Sequence, residues 1–150
     1  MDDLLHFDDF APGREFALGT WEVTAEEIVE FGLAWDPLPF HTDPDAPPDG
    51  PYGGLIASGR HSGVIWMRLY VDAVLSRAAT LGSPGLDEIR WHVPVRPGDV
   101  LTGTAKVLEA RVSSSRPDRG IVAFEGTVVN QAGEVATTIR GTNFLRRRGE

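Results

Sequence analysis

The order of apolar and polar residues separates a mixed N-terminal part of the chain from a C-terminal part with strand-like alternation. Residues 14–23 alternate irregularly and predict a first strand. Thr24 and Glu27 are spaced as a capping box, in which each side chain accepts the backbone N–H of the other residue. A short helix from about Ala25 to Ala34 is therefore predicted, and Pro37 prevents it from continuing.

The longest helical signal runs from about Leu55 to Ala79. Apolar residues lie there on nearly every side of a helix, which predicts that this helix is buried. The residues Gly82-Ser83-Pro84-Gly85 follow it and predict a strong stop. The apolar positions are Leu55, Ile56, Val64, Ile65, Met67, Leu69, Val71, Val74 and Leu75.

From Asp87 onward the pattern changes to strand-like alternation and β-rich runs. Short turns at residues 96–99 and 130–133 favour antiparallel pairing. A single long apolar helix needs a curved sheet to bury it, so we expect an α+β fold in which about five antiparallel strands wrap around one central helix. The four C-terminal strands are predicted at Asp87–Val95, Val100–Val112, Ile121–Asn130 and Glu134–Leu145.

The composition fits a single domain of residues 1–150, with residues 43–54 as a surface loop inside it. The chain has 150 residues, of which 41% are apolar, and a net charge of −8. This charge argues against nonspecific binding of nucleic acid, and the absence of cysteine excludes a thiolate zinc site or a cysteine nucleophile. No apolar run is long enough for a membrane span and the start at Met1–His6 is acidic, so we expect a cytoplasmic protein.

The acidic residues are concentrated in the first 50 positions, which hold 13 of them and a single basic residue. A solvated acidic face explains this pattern most simply. The alternative is that an anionic ligand docks on the more basic remainder of the chain.

The residue types needed for metal or serine-nucleophile chemistry are not suitably spaced. The histidines share no metal-ligand spacing, so we expect no metal site. Ser58 lies in Ala57-Ser58-Gly59 and lacks the Gly-x-Ser-x-Gly elbow of many serine hydrolases. The four histidines are His6, His41, His61 and His92.

Asp36 and His41 are five residues apart and are joined by a segment stiffened by two prolines. Such a segment can direct a carboxylate and an imidazole into one cleft, where Trp35, Leu38 and Phe40 are expected to exclude water. An Asp–His pair in that setting can activate a water molecule. The alternative is that Asp36 caps a local amide and His41 is a partly exposed loop residue.

A glycine-rich run precedes the predicted long helix and reads Tyr52-Gly53-Gly54-Leu55-Ile56-Ala57-Ser58-Gly59. Glycines allow close backbone approach, and free amides at the start of a helix stabilise an anion or a developing oxyanion. The alternative is that the glycines only form a tight turn and a close contact between helix and sheet.

Three motifs in this order resemble the MaoC-like dehydratase family, which includes the (R)-specific enoyl-CoA hydratases. They are Asp36-Pro37-Leu38-Pro39-Phe40-His41-Thr42-Asp43-Pro44, the run Gly53 to Gly59, and Pro94-Val95-Arg96-Pro97-Gly98-Asp99. The resemblance covers roughly residues 7–145 and implies the hotdog fold. The chain departs from the family pattern at Leu38, where Asn is usual, and at Ser58, where His is frequent. Val64 stands where some members have a serine.

The resemblance implies reversible addition of water to a trans-2-enoyl thioester. Asp36 and His41 would be the catalytic residues, Gly54 or Gly59 would bind the thioester oxygen, and Ser58 would lie in the same groove. It implies no metal and no cofactor beyond the coenzyme A of the substrate, and a homodimer. From the charge and the lack of a long apolar run we expect no nucleic acid or membrane partner. The candidate arginines for the coenzyme phosphates are Arg60, Arg90, Arg96, Arg116 and Arg119.

Two alternatives remain open at the level of the sequence. The first is an acyl-CoA thioesterase on the same fold, which would use a carboxylate and water to release the thiol. The second is a binding module that keeps the groove for an acyl thioester without the chemistry.

Overall fold

The predicted strands assemble into one antiparallel sheet in the computed structural model, which describes residues 3–149. The order across the sheet is β1-β3-β4-β5-β2. The predicted α+β architecture of five strands around a central helix is therefore confirmed. Residues 1, 2 and 150, which the predicted domain bounds and acidic start include, lie outside the described part. The strands are β1 (Glu15–Glu22), β2 (Thr80–Trp91), β3 (Val100–Val112), β4 (Arg119–Val129) and β5 (Val135–Arg146).

The helices are α1 (Ala25–Trp35), α2 (Pro39–Thr42) and α3 (Gly59–Ala73). The predicted capping box at the start of α1 is confirmed, because Thr24 Oγ1 accepts from the amide of Glu27 and Glu27 Oε1 accepts from the amide of Thr24. The sequence pattern did not indicate α2, which begins with proline at its first position. Within residues 3–149, no helix has the length and apolarity needed to cross a membrane.

Helix α3 is shorter than predicted and begins at Gly59 rather than at about Leu55. The preceding residues are extended because their amides bond to distant segments: Ile56 N–H donates to Phe40 O, and Ala57 N–H donates to Val95 O. After Ala73 the chain forms a short 3₁₀ turn rather than continuing the helix to Ala79. The predicted bounds were wrong because periodicity does not register these tertiary hydrogen bonds.

The helix ends before Gly82-Ser83-Pro84-Gly85 as predicted, but these residues belong to β2, which begins at Thr80 rather than at the predicted Asp87. The pairing of β2 with β5 shifts register around Gly82 and Gly85. Both glycines have positive φ, 101° and 144°. They bend the strand at bulges without ending it. At its other end β2 stops at Trp91, short of the predicted Val95.

Helix α3 is buried on one side only, which corrects the expectation of a helix surrounded by protein. Val64 is 51% exposed and Met67 is 41% exposed. The opposite side carries Trp66 and Tyr70, whose rings stack 4.7 Å apart in the core. A single sheet covers one face of the helix, and apolar residues on the other face stay at the surface.

Candidate active site

Asp36 and His41 come from the two helices that precede the central one. Asp36 is the C-terminal cap of α1, and His41 lies in α2 after the predicted proline link. His41 Nε2 is 3.4 Å from Asp36 Oδ2. The two side chains therefore face each other, and His41 is 5% exposed. The alternative of an exposed loop histidine does not agree with this geometry.

The second ring nitrogen of His41 is fixed by the backbone of the chain ahead of α3. His41 Nδ1 is 2.8 Å from the carbonyl oxygen of Ile56, which only accepts. Neutral His41 therefore carries its proton on Nδ1, and Nε2 presents a lone pair toward Asp36.

Ser58 holds the carboxylate of Asp36. Its hydroxyl donates to Asp36 Oδ2 over 2.7 Å, and the residue is fully buried. Ser58 is also the residue before the first turn of α3, yet its side chain caps no amide there. The serine hydroxyl is thus used to orient Asp36 rather than to cap the helix.

The approach of α2 to α1 depends on Gly32. A Cβ atom added at Gly32 would overlap the carbonyl oxygen of His41. The segment that carries His41 can therefore lie directly on α1 only because this position has no side chain.

A cleft of about 310 Å³ opens beside His41, and we call it the Asp–His cleft because it meets the pair at His41, whereas Asp36 is not part of its lining. Among the described residues that line it, none is acidic. Arg96 lies at its rim, where its guanidinium donates to Tyr52 O over 2.6 Å. The lining residues are Phe40, His41, Tyr52, Ile56, Ala57, Gly59, Ser62, Trp91, His92, Val93, Pro94 and Val95.

Of the two predicted oxyanion glycines, Gly59 lines the Asp–His cleft and Gly54 does not. Gly59 is the first residue of α3, and its amide has no acceptor within residues 3–149. A Cβ at this position would overlap the indole of Trp91. Gly54 has a φ of 126° and belongs to the preceding loop, near the carbonyl of Ala46.

A family model described as "MaoC like domain" matches residues 9–130. The chain belongs to this family. The arrangement of five strands around one helix is its hotdog fold, as the sequence resemblance implied.

Three similar proteins extend the comparison. A crystal structure of a MaoC-like dehydratase from Rhodospirillum rubrum is 39% identical, covers 97% of this chain and 99% of that one, and superposes with a TM-score of 0.89. The uncharacterized protein YdeM of Bacillus subtilis is 24% identical over 85% of this chain and 89% of its own length. The mesaconyl-CoA hydratase of Haloarcula marismortui is 38% identical over 65 residues, which are 43% of this chain and 18% of that protein.

One of the three residues expected to exclude water from the MaoC-like pair does so. The ring of Phe40 lies 4.6 Å from that of His41, so the expectation holds for this residue. It is wrong for Trp35 and Leu38, which are 75% and 46% exposed and leave the pair unshielded. Ile56 and the close contact with Gly32 complete the enclosure of His41.

The five candidate arginines lie in different places. Arg96 borders the cleft, and Arg60 follows Gly59 at the start of α3. Arg90 is paired with Glu88, and Arg119 with Asp118. Arg119 and the nearby Arg116 belong to the opposite end of the sheet from Trp91, as the strand register shows.

Ser62, His92 and Trp91 line the cleft although the sequence analysis did not select them. Ser62 follows Ser58 by one helical turn, a spacing that could have indicated a shared face. Trp91 is the last residue of β2 and His92 follows it, whereas the predicted strand continued to Val95, so nothing in the pattern marked these two positions as the edge of a cleft. Within residues 3–149, no three or more His, Cys, Asp or Glu side chains form a metal-binding group.

Proposed function

We propose that this MaoC-like protein adds water reversibly to a trans-2-enoyl thioester, in the manner of an enoyl-CoA hydratase. The observation that carries the proposal is the facing pair of His41 Nε2 and Asp36 Oδ2 at 3.4 Å. Membership in the MaoC-like family and the similarity to a mesaconyl-CoA hydratase support the same class of reaction.

The pair offers two acceptors to one water molecule. At 3.4 Å the two atoms are too far apart for a strong direct hydrogen bond, and both accept. A water that donates one proton to His41 and one to Asp36 satisfies both acceptors and directs its own lone pair at the substrate. Holding the water in this position lowers the activation barrier for its addition without altering the chemical nature of the water.

In the forward step the water oxygen bonds to C3 of the enoyl group while His41 Nε2 takes one proton from that water. The carboxylate of Asp36, oriented by Ser58, stabilises the imidazolium that forms. The electron pair of the C2–C3 double bond moves toward the thioester carbonyl and gives an enolate. The imidazolium then returns the proton to C2, so that one whole water molecule is added and the residues regain their starting states.

The enolate oxygen is placed at the start of α3 in this scheme. The amide of Gly59 lies in the same cleft as His41 and has no acceptor within residues 3–149. The positive end of the helix dipole adds to its hydrogen bond. Gly54, whose amide lies in the loop outside the lining of this cleft, is the less suited of the two glycines.

We also propose that the coenzyme A of the substrate leaves the cleft past Arg96 and that the protein acts as a homodimer. The open edges of β1 and β2 are surfaces that a second copy can cover. Light scattering at micromolar protein tests this assembly, and the mass of a single chain would contradict it.

Product analysis with crotonyl-CoA tests the reaction. The proposal expects loss of the enoyl absorbance with no free thiol. Release of thiol would instead support a thioesterase. Tight binding of every enoyl thioester without turnover would support a module that only binds.

A further inference from the structure

A second hollow of about 370 Å³, which we call the α1–α3 cavity, lies between the two long helices. Its apolar walls are Trp21 from β1, Phe31 and Trp35 from α1, and Val64 and Ile65 from α3. These residues differ from those that line the Asp–His cleft. An apolar hollow with a few polar groups is the usual form of a site for a small organic group.

The Asp–His pair connects the two hollows along the chain. Asp36 directly follows Trp35, which lines the cavity, and His41 lines the cleft. Ser58, which holds Asp36, precedes His61 of the cavity by three residues at the start of α3. A substrate whose reacting carbons lie at the pair therefore has a neighbour of the cavity, Trp35, beside Asp36 and the cleft beside His41.

His61 is a buried polar residue of the cavity with no protein partner. Its ring stacks on Phe31 at 4.7 Å and the residue is 5% exposed. Neither ring nitrogen has a hydrogen-bond partner among the described residues, and Nδ1 is fully enclosed. Burial lowers the pKa of His61, although Glu27 acts in the opposite direction. In the neutral ring, the loss of hydrogen-bonding free energy is smallest when the enclosed Nδ1 carries no proton. Nε2 then carries the N–H and acts as a donor.

The two hollows differ in charge. The cavity is lined by Glu27 and Glu30, whereas Arg96 lies at the rim of the cleft. Arg68, the cation of the cavity, is paired with Asp72. The coenzyme phosphates are therefore favoured on the cleft side, and an uncharged group is favoured in the cavity.

We propose that the α1–α3 cavity binds the acyl group of the thioester and selects an uncharged aromatic acyl group that carries an oxygen acceptor for His61. This inference rests on the proposed hydratase function. The aromatic walls accept a flat ring by stacking, and the His61 N–H donates to the oxygen of that ring. Small acyl groups react without filling the cavity.

The test compares crotonyl-CoA, trans-cinnamoyl-CoA and 4-hydroxycinnamoyl-CoA as substrates. For the parent we expect a kcat/KM about tenfold higher for the hydroxylated ring than for the plain ring, the effect of one added hydrogen bond. His61→Phe keeps a ring on Phe31 and removes the donor, so it should make the two aromatic substrates equal. An unchanged preference in His61→Phe would overturn the role of His61.

Val64→Trp fills the cavity from an exposed position, and Met67→Trp is its matched control on the same helix outside the cavity. We expect Val64→Trp to lower kcat/KM for both aromatic substrates by at least about tenfold. Met67→Trp should leave all three substrates near parental values. Equal effects of the two variants on every substrate would overturn the cavity as the acyl site.

A binding experiment separates failure of this inference from failure of the proposed reaction. Calorimetric titration with 3-phenylpropanoyl-CoA and butyryl-CoA, which lack the reactive double bond, needs no turnover. Selective weakening of the phenylpropanoyl ligand by Val64→Trp would support the cavity even if no enoyl thioester reacted. Equal affinity of parent and Val64→Trp for this ligand would overturn it even if crotonyl-CoA were hydrated.

Discussion

Two histidines of this chain are equally buried and differ in their partners. His41 and His61 are each 5% exposed. His41 has one nitrogen fixed by Ile56 O and the other opposite Asp36, whereas His61 has no hydrogen-bond partner within residues 3–149. Burial therefore does not distinguish a catalytic imidazole from one available to a ligand, and the bonded neighbours do.

The largest effect is expected for the catalytic pair itself. His41→Gln and Asp36→Asn should each lower kcat for crotonyl-CoA by about 1,000-fold, the range for removal of a general base. The matched control is Asp45→Asn on the exposed loop after α2. Thermal unfolding checks that the variants fold. Activity within tenfold of the parent in either pair variant would contradict the assignment.

Gly59→Ala should lower kcat by about 100-fold, because the new Cβ overlaps Trp91 and displaces the amide offered to the enolate. Gly63→Ala on the same helix has open space for its Cβ and is the control. This control should keep its activity and gain up to about 1 kcal/mol of stability. Equal activity of the two variants would remove Gly59 from the proposed oxyanion site.

Ser58→Ala should lower kcat by about tenfold and change KM little. It removes the 2.7 Å hydrogen bond that orients Asp36, and a bond to a charged group contributes about 1.5–3 kcal/mol. Ser58→Thr should restore part of the activity by restoring a hydroxyl. Ser76→Ala, at an exposed position after α3, is the matched control. A pH–rate profile identical in Ser58→Ala and parent would contradict a positioning role.

The smallest effect concerns the pH dependence of stability. Burial holds the pKa of His61 below its ordinary value of 6.5, against the opposing charge of Glu27. The unfolded chain therefore binds this proton at higher pH than the folded chain does. The contribution of neutral His61 to the free energy of unfolding is complete above about pH 6.5. It is lost as the pH falls through the lowered pKa of His61 in the folded chain. The difference in melting temperature between parent and His61→Phe should be constant above about pH 6.5, and below it the parent should lose melting temperature relative to the variant. A difference that stays constant across both ranges would contradict this.

The sequence predicted elements whose determinants are local. The capping box of Thr24 and Glu27 and the alternation of β3 need only neighbouring residues, and their positions are confirmed. The start of α3 was misplaced because Ile56 and Ala57 bond to Phe40 and Val95, which are distant along the chain. Gly82 and Gly85 were read as a stop because a bulge inside a strand uses the same residues as a turn.

The sequence predicted the residue types of the site better than the hydrogen-bond partners of those residues. The spacing of Asp36 and His41 indicated a facing pair, which the geometry agrees with. The sequence did not reveal that Ser58 would serve Asp36, since residues 22 positions apart meet only in the fold. It also placed Trp35 over the pair, where the structure turns this residue outward.

The central claim is that Asp36 and His41 together add water to an enoyl thioester. The most direct test incubates parent and His41→Gln with crotonyl-CoA in water labelled with the heavy oxygen isotope and follows the thioester by mass spectrometry. We predict that the parent gives a 3-hydroxyacyl thioester with the label on its hydroxyl group, and that His41→Gln gives none in the same time. Label in a released carboxylate, or equal labelling by both proteins, would contradict the claim.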